Sequence, residues 1–261
     1  MDRSFLSNNR LIKVSREFVC IRTATYEDKQ EVGFLKWAFL RSGGGDLRNF
    51  GFCILSPDGK KKLRRSFRGP NFVYASSGAM VADLKLVARQ FSPNTTKIES
   101  NRTVPQMKSV RLGINVASCD GLPSVIVFGK DRREVDQLNA KLAGVIWDEE
   151  LAGKFIYAST TNVADLKIVA GATTQTGILV IEPDAYGLKG RLIKAIDVDV
   201  SEGDLKSVLV RAANTFSRRI KSHGLHVRYG RRDRKTWKTE VPVPSRVRSR
   251  SRRTPRRKPG K

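Results

Sequence analysis

Thiol and imidazole groups are the side chains of this sequence best suited to nucleophilic, redox or metal chemistry. The 261-residue chain holds three cysteines, Cys20, Cys53 and Cys119, and two histidines, His223 and His226. No Cys-x-x-Cys pair occurs, and no cysteine and histidine have a spacing typical of zinc ligands. The pattern therefore predicts no metal site, no cofactor and no disulfide framework.

The surroundings of each thiol indicate which one is available for chemistry. Cys20 and Cys53 lie inside apolar, strand-like runs, where a free cysteine usually behaves as a small buried hydrophobic residue. Cys119 lies in a turn-like stretch and is predicted to be the most exposed thiol. Cys119, and Cys20 with Arg16 and Arg22 nearby, are the candidates for a reactive thiol, and no catalytic residue is assigned.

A basic segment at the C-terminus is the other chemical signal. Residues 217–261 hold 18 Lys and Arg against 2 Asp and Glu, whereas residues 1–216 carry only +9 of the net charge of +25. The segment has little to bury and repels itself, which predicts a disordered tail. Such a tail attracts polyanions, either nucleic acid through counterion release or an anionic membrane surface. The candidate nucleic-acid contacts are Arg246, Arg248, Arg250, Arg252, Arg253, Arg256, Arg257 and Lys258.

A short pattern that occurs twice indicates the elements that must position these residues. Residues 52–59 are an apolar run ending in Pro-Asp-Gly, and residues 179–184 are an apolar run ending in Pro-Asp. A helix-like segment follows each copy, with Ala-Asp-Leu-Lys at 82–85 and Gly-Asp-Leu-Lys at 203–206. The repetition predicts two copies of one supersecondary unit.

The first copy predicts a short series of helices and strands. Residues 17–23 predict a buried strand, and Tyr26–Arg41 predicts an amphipathic helix. A hairpin with strands at 50–55 and 62–67 follows around the Pro-Asp-Gly turn. Residues 78–91 predict a second amphipathic helix, because their apolar side chains recur at helical spacing.

The second copy predicts the order β-α-β-α-β-β-α after a short helix at residues 110–117. Its strands are predicted at 124–128, 154–158, 177–181 and 192–198, and its helices at 131–142, 162–169 and 202–216.

This order resembles the thioredoxin fold, in which two parallel strands joined by a helix lie beside an antiparallel hairpin and a final helix follows. The resemblance implies an α/β fold class with two thioredoxin-like domains, each a mixed sheet flanked by helices, plus a disordered basic C-terminal tail. The first copy lacks a counterpart of the strand at 124–128, so that domain is predicted to be incomplete at its N-terminus. The implied boundaries are a first domain at 1–92, a linker at 93–107, a second domain at 108–220 and a basic tail at 221–261.

The active-site motif of thioredoxin-like oxidoreductases is missing at the positions where the resemblance would place it. Their Cys-x-x-Cys begins the helix after the first core strand, and the matching segment here is Gly129-Lys130-Asp131-Arg132-Arg133. The family also has a proline just before the hairpin strand, where this chain has Arg48-Asn49-Phe50 and Gln175-Thr176-Gly177. These departures predict a non-catalytic thioredoxin-fold binding or structural protein.

Two alternatives stay open at this point. The chain is a nucleic-acid-associated protein that binds through its basic tail, or an unconventional thiol-disulfide oxidoreductase that uses a single cysteine. The predicted partner is a protein, with nucleic acid or another polyanion as the alternative through the tail. No signal-peptide core and no apolar run of ~20 residues is visible. We therefore predict a cytoplasmic protein without a transmembrane segment; a truncated N-terminus would leave an exported form open.

Overall fold

The structure is a computed structural model that describes residues 5, 8–19, 21, 28–40, 47, 51–91, 103–172, 174–217 and 222–236. The chain divides into two compact units. The N-terminal unit contains the described residues up to 91, and the C-terminal unit contains those from 103 to 236.

The N-terminal unit is built on three helices, α1 (Asn9–Ser15), α2 (Lys29–Phe39) and α3 (Ser77–Gln90). Each begins after a residue whose side chain accepts hydrogen bonds from the first backbone N–H groups, which is why the helices start there. These capping residues are Asn8, Asp28 and Ser76. Helix α1 packs against α3 around a core formed by Phe5, Leu11, Val14, Ile54, Met80, Leu84 and Val87.

The segment between α2 and α3 is an irregular hairpin rather than a pair of regular strands. Its two arms form isolated β-bridges at Phe52–Phe67 and Leu55–Lys62 instead of a continuous ladder, and a 3-10 turn at Pro70–Phe72 follows. An ion pair fixes the second arm to α3, because Arg64 donates to both carboxylate oxygens of Asp83 at 2.8 and 2.5 Å. The Tyr74 hydroxyl donates to the same carboxylate at 2.6 Å.

The predicted buried strand at 17–23 differs from the structure wherever that segment is described. Val19 and Ile21 are 91% and 66% exposed, and neither lies in a strand. After α1 the chain continues in turns, in which the Glu17 and Phe18 N–H groups donate to carbonyls three residues earlier. Among the described residues of this segment, Phe18 is the one that packs against the core. Cys20 lies outside the described residues.

The C-terminal unit is an α/β structure with a mixed six-stranded sheet flanked by helices, which confirms the coarse fold class. Its strands are β1 (Gln106–Met107), β2 (Ser124–Phe128), β3 (Ile156–Thr160), β4 (Val169–Ala170), β5 (Gly177–Pro183) and β6 (Gly190–Ile196). Its α-helices are α4 (Val110–Asp120), α5 (Arg132–Val145), α6 (Glu202–Thr215) and α7 (His223–Arg232), and a 3-10 helix spans Val163–Ile168.

The sheet order is β1-β3-β2-β5-β6-β4. Strand β2 pairs parallel with β3 and antiparallel with β5, and β5 pairs antiparallel with β6. Two-residue strands lie at both edges, with β1 parallel to β3 and β4 parallel to β6.

Helices cover both faces of the sheet, which explains why β2 is buried along its whole length. Val125 and Val127 of β2 point to the face covered by α5 and α6. Ile126 and Phe128 point to the opposite face, where α4 and the 3-10 helix pack. The alternation of side chains along a strand thus divides one apolar run between two cores.

Candidate functional site

The first turn of α5 occupies the position at which the thioredoxin resemblance would place a dithiol. Asp131 caps this helix, and its carboxylate accepts the Glu134 N–H at 2.8 Å. Glu134 reaches back so that its carboxylate accepts the Lys130 N–H at 2.7 Å. This reciprocal arrangement resembles a capping box, but Glu134 accepts the N–H of the residue before the N-cap and not that of the N-cap Asp131 itself.

A second element meets this turn just before β5. The Thr176 hydroxyl donates to the other Glu134 oxygen at 3.2 Å. Thr176 directly precedes the first residue of β5, where the family would have its proline. The helix start that could stabilise a thiolate is therefore occupied by carboxylates, one of which is hydrogen-bonded to the neighbouring loop.

The aspartates of the two Pro-Asp turns make the same local contact. The Asp58 carboxylate accepts the Lys60 N–H at 3.1 Å, and the Asp184 carboxylate accepts the Tyr186 N–H at 3.1 Å. In each turn the aspartate holds the backbone two residues ahead, as in an Asx-turn. The hydrogen bond from the Ser56 hydroxyl also lowers the pKa of the Asp58 carboxyl. These aspartates therefore shape the turns.

The turn at residues 184–187 also packs on α4. The Ser118 hydroxyl donates to the Asp184 carbonyl at 2.8 Å. Gly187 has a φ of +68°, and a Cβ there would lie 2.7 Å from the Asn115 Cα. Only glycine fits both the left-handed backbone and this close approach. A shallow surface hollow beside the turn is lined by Ser118, Gly121, Glu182, Pro183, Asp184, Ala185 and Phe216.

The two described cysteines occupy different environments. Cys119 is exposed, as expected, but it lies in the last turn of α4 rather than in a loop. Thiolates are stabilised at helix N-termini, so this position is at the opposite end of a helix from the one that favours thiol chemistry. Cys53 is half-buried, and the Ser66 hydroxyl lies 3.2 Å from its sulfur.

Helix α7 lies in the segment that we predicted to be a disordered tail from residue 221, so the structure differs there at His223–Arg232. The His226 ring stacks on the Tyr186 ring, with centroids 4.7 Å apart and planes 26° apart. Gly230 lies one turn later, where a Cβ would be only 3.2 Å from Tyr186 Cε1. His226 is thus half-buried although we predicted it to lie in a disordered tail, because the missing side chain of Gly230 lets the helix approach the ring.

The outward side of α7 is basic and carries an aromatic ring. Arg228 and Arg231 are exposed, and Tyr229 is 44% exposed. The Arg232 guanidinium lies 4.9 Å from the centre of the Tyr229 ring and pairs with Asp233 at 2.9 Å. In the sequence, the signal for this helix is Gly230, four positions after His226, with Arg228 between them and two arginines directly after the glycine. The eight candidate contacts from Arg246 to Lys258 lie outside the described residues.

The charge is distributed unevenly along the chain. Residues 94–216 hold 15 Lys and Arg and 15 Asp and Glu, whereas residues 1–93 hold 17 Lys and Arg and 8 Asp and Glu. The net positive charge of the whole chain therefore comes from the N-terminal unit and from residues 217–261. Residues 94–216, which contain the six-stranded sheet, contribute no net charge.

Within the described ranges, no group of three or more His, Cys, Asp or Glu side chains could hold a metal ion. No helix in the described part of the chain is long and apolar enough to cross a membrane. Comparisons with protein families, curated proteins and solved structures find no match for this chain.

Proposed function

We propose that this chain is a non-catalytic binding or structural protein with thioredoxin-like domains. The carrying observation is the first turn of α5, where the carboxylates of Asp131 and Glu134 accept backbone N–H groups at the helix start and no dithiol is present. A carboxylate is neither a thiol nucleophile nor a redox group, so this turn has no chemistry of the oxidoreductase kind.

The arrangement of the C-terminal unit supports the thioredoxin-like part of the proposal. Helix α5 joins the parallel strands β2 and β3, the antiparallel pair β5–β6 lies beside β2, and α6 follows. The support for a second copy in the N-terminal unit is narrower. It consists of the shared contact in the Pro-Asp turns and of helix α3, which follows its hairpin as α6 follows β6.

Reduction of insulin by dithiothreitol tests the absence of redox catalysis. We expect the natural chain to accelerate this reaction no more than a variant in which Cys20, Cys53 and Cys119 are all changed to serine. Activity of the natural chain above that control would contradict the proposal and favour the single-cysteine alternative.

A gain-of-function variant makes the same assay informative about the fold. Lys130→Cys with Arg133→Cys introduces a Cys-x-x-Cys across the start of α5. If the fold is thioredoxin-like, we expect this variant to accelerate insulin reduction, because a thiol at the helix N-terminus ionises more readily. The matched control is Arg191→Cys with Lys194→Cys, which has the same spacing and also replaces two exposed cations, but lies on β6 away from any helix start. Equal activity of the two variants would count against the thioredoxin-like assignment.

A second candidate function is nucleic-acid association through residues 217–261. The observation that favours it is the outward side of α7, which carries Arg228, Arg231 and the exposed Tyr229. Along the chain, this helix directly precedes the basic C-terminal sequence. Lys and Arg bind phosphates with a strong dependence on salt, and an exposed ring can stack on an unpaired base.

Chromatography on immobilised DNA tests this candidate. Changing the eight basic residues from Arg246 to Lys258 to glutamine keeps the chain length and removes eight positive charges. We expect this variant to elute at a clearly lower salt concentration than the natural chain. Unchanged elution would show that these eight residues make no contribution and would contradict binding through the segment after α7.

A further inference from the structure

We propose that residues 60–72 of the N-terminal unit, here called the basic hairpin arm, form a binding surface for single-stranded nucleic acid. The arm shares no residue with α7 or with residues 217–261. It also does not depend on the thioredoxin-like proposal, because no residue of α5 or β5 takes part.

The basic hairpin arm concentrates positive charge. It contains Lys60, Lys61, Lys62, Arg64, Arg65 and Arg68 and no acidic residue. These are six of the 17 basic residues in the first 93, within a stretch of nine residues. A strand of phosphates spaced a few ångströms apart is the ligand that such a row of cations fits best.

Part of this charge is fixed in the fold and part is free for a ligand. Arg64 is held by Asp83, and Lys62 donates to the Trp37 carbonyl at 3.0 Å. Lys60, Lys61 and Arg68 are exposed, and none of them forms an ion pair with another described residue. The two fixed cations anchor the arm, and the free ones face solvent.

Aromatic rings are stacked among these cations. The Phe67 and Phe72 rings are nearly parallel, with centroids 5.9 Å apart and planes 9° apart. The Arg65 guanidinium lies 4.6 Å from the centre of the Phe67 ring. Phe72 ends this stack and is 56% exposed, which is unusual for a phenylalanine.

The backbone holds this stack in place before any ligand binds. Phe67 exchanges both backbone hydrogen bonds with Phe52, at 2.7 and 3.0 Å. Phe72 closes a 3-10 turn whose first residue, Pro70, is buried. Trp37 is a further exposed ring at 42%, with the Lys62 ammonium 5.2 Å from its centre. A pre-ordered ring loses little conformational entropy when it binds.

The combination of features identifies the ligand class. A row of cations alone would fit any polyanion, and exposed rings alone would fit an apolar protein surface. Cations that alternate with an open ring face suit a chain that presents both phosphates and planar bases. Unpaired bases are required, because the bases of a duplex are already stacked on one another.

Fluorescence anisotropy with a labelled 15-nucleotide oligo-dT and the full-length protein tests the stacking component. We expect Phe72→Ala to weaken binding by about 5- to 100-fold, the range expected for the loss of one stacked base. The matched control is Leu86→Ala, which removes an equally exposed apolar side chain from α3 of the same unit and should leave affinity unchanged. The C-terminal segment is identical in all these variants, so it cannot produce a difference between them.

Heparin serves as a polyanion without bases. Phe72→Ala should leave heparin binding unchanged, whereas equal losses on oligo-dT and heparin would overturn the proposal in favour of a general polyanion surface. Phe72→Trp should preserve or strengthen oligo-dT binding, which separates loss of stacking from loss of folding. Equal affinities of Phe72→Ala and Leu86→Ala would also overturn the proposal.

The charged component is tested by a pair of variants with the same net charge. Lys60→Gln with Lys61→Gln should reduce the slope of log K against log salt by about 1 to 2. Lys85→Gln with Arg89→Gln, at exposed positions on α3, should change it less. Equal slopes for the two double variants would mean that oligo-dT binding depends only on the net charge of the protein. That result would contradict a defined binding surface.

Discussion

The Arg64–Asp83–Tyr74 cluster should determine much of the stability of the N-terminal unit. Asp83 accepts two hydrogen bonds from Arg64 and one from Tyr74. The Asp83→Asn substitution removes the negative charge and one acceptor oxygen but keeps the side-chain shape. An amide oxygen in the place of Oδ2 keeps the bonds from Arg64 Nε and Tyr74, so one of the three bonds is lost. A hydrogen bond to a charged group contributes about 1.5–3 kcal/mol. The Arg64 and Asp83 side chains are 33% and 19% exposed, so we expect the free energy of unfolding to fall by about 1.5–3 kcal/mol at pH 7.

Equilibrium unfolding in urea measures this change. Trp37 lies in the N-terminal unit and Trp147 in the other, so a Trp147→Phe/Trp237→Phe background lets Trp37 fluorescence follow the N-terminal unit alone. Glu17→Gln is the matched control, because it removes one negative charge from an exposed position in the same unit. Substitutions at such surface positions usually change the free energy of unfolding by no more than about 0.5 kcal/mol.

The pH dependence gives an independent check with a definite sign. The hydrogen bond from Arg64 holds the pKa of the Asp83 carboxyl below its ordinary value, and Tyr74 adds to this effect. The resulting stabilisation is present above the unfolded-state pKa of about 4 and is lost as the pH falls through the lower folded-state pKa. The difference between the natural chain and Asp83→Asn should therefore shrink as the pH falls below about 4. A difference that stays constant down to pH 2.5, or a loss of stability no larger than that of Glu17→Gln, would refute the reasoning.

Two further substitutions test single contacts in the C-terminal unit. The Tyr157 hydroxyl is buried and has no hydrogen-bond partner among the described residues. Tyr157→Phe should therefore leave the free energy of unfolding unchanged or raise it by about 1 kcal/mol. A loss of more than about 1 kcal/mol would mean that the hydroxyl does form a hydrogen bond. Gly187→Ala should destabilise the protein by at least about 1–2 kcal/mol because of its left-handed backbone, and the contact with Asn115 adds to the cost. Gly33→Ala, in open space on α2, should instead be neutral or stabilising in the same denaturation assay.

The sequence predicted those elements whose signals are local. The strand at 124–128 has the predicted bounds, because a continuous β-branched run between two turns leaves the chain one regular option. The predicted helix at 26–41 begins later, at Lys29, because the Asp28 side chain caps it there. The two-residue strands β1 and β4 carry no periodic pattern and could not be predicted.

Contacts between residues far apart in the sequence account for the features that could not be predicted. The absence of a dithiol was readable at residues 129–133, whereas the Thr176–Glu134 hydrogen bond joins positions 42 residues apart. Helix α7 was not predicted, because its basic composition is typical of a tail. The contact that holds one side of this helix is the stacking of His226 on the distant Tyr186 ring. In the same way, the Phe67–Phe72 stack follows from the turn at Pro70 and not from a sequence periodicity.

The edges of the sheet determine how this protein can associate with other chains through its backbone. Strands β1 and β4 have two residues each, and β4 covers only Gly190 and Arg191 of the seven-residue strand β6. Residues 192–196 of β6 therefore have no strand partner on that side within the described sheet. Lys194 is exposed in this stretch, and a charged side chain on an edge strand opposes pairing with a foreign strand. The uncovered part of β6 is thus an edge at which a lysine, rather than a neighbouring strand, discourages the joining of two sheets.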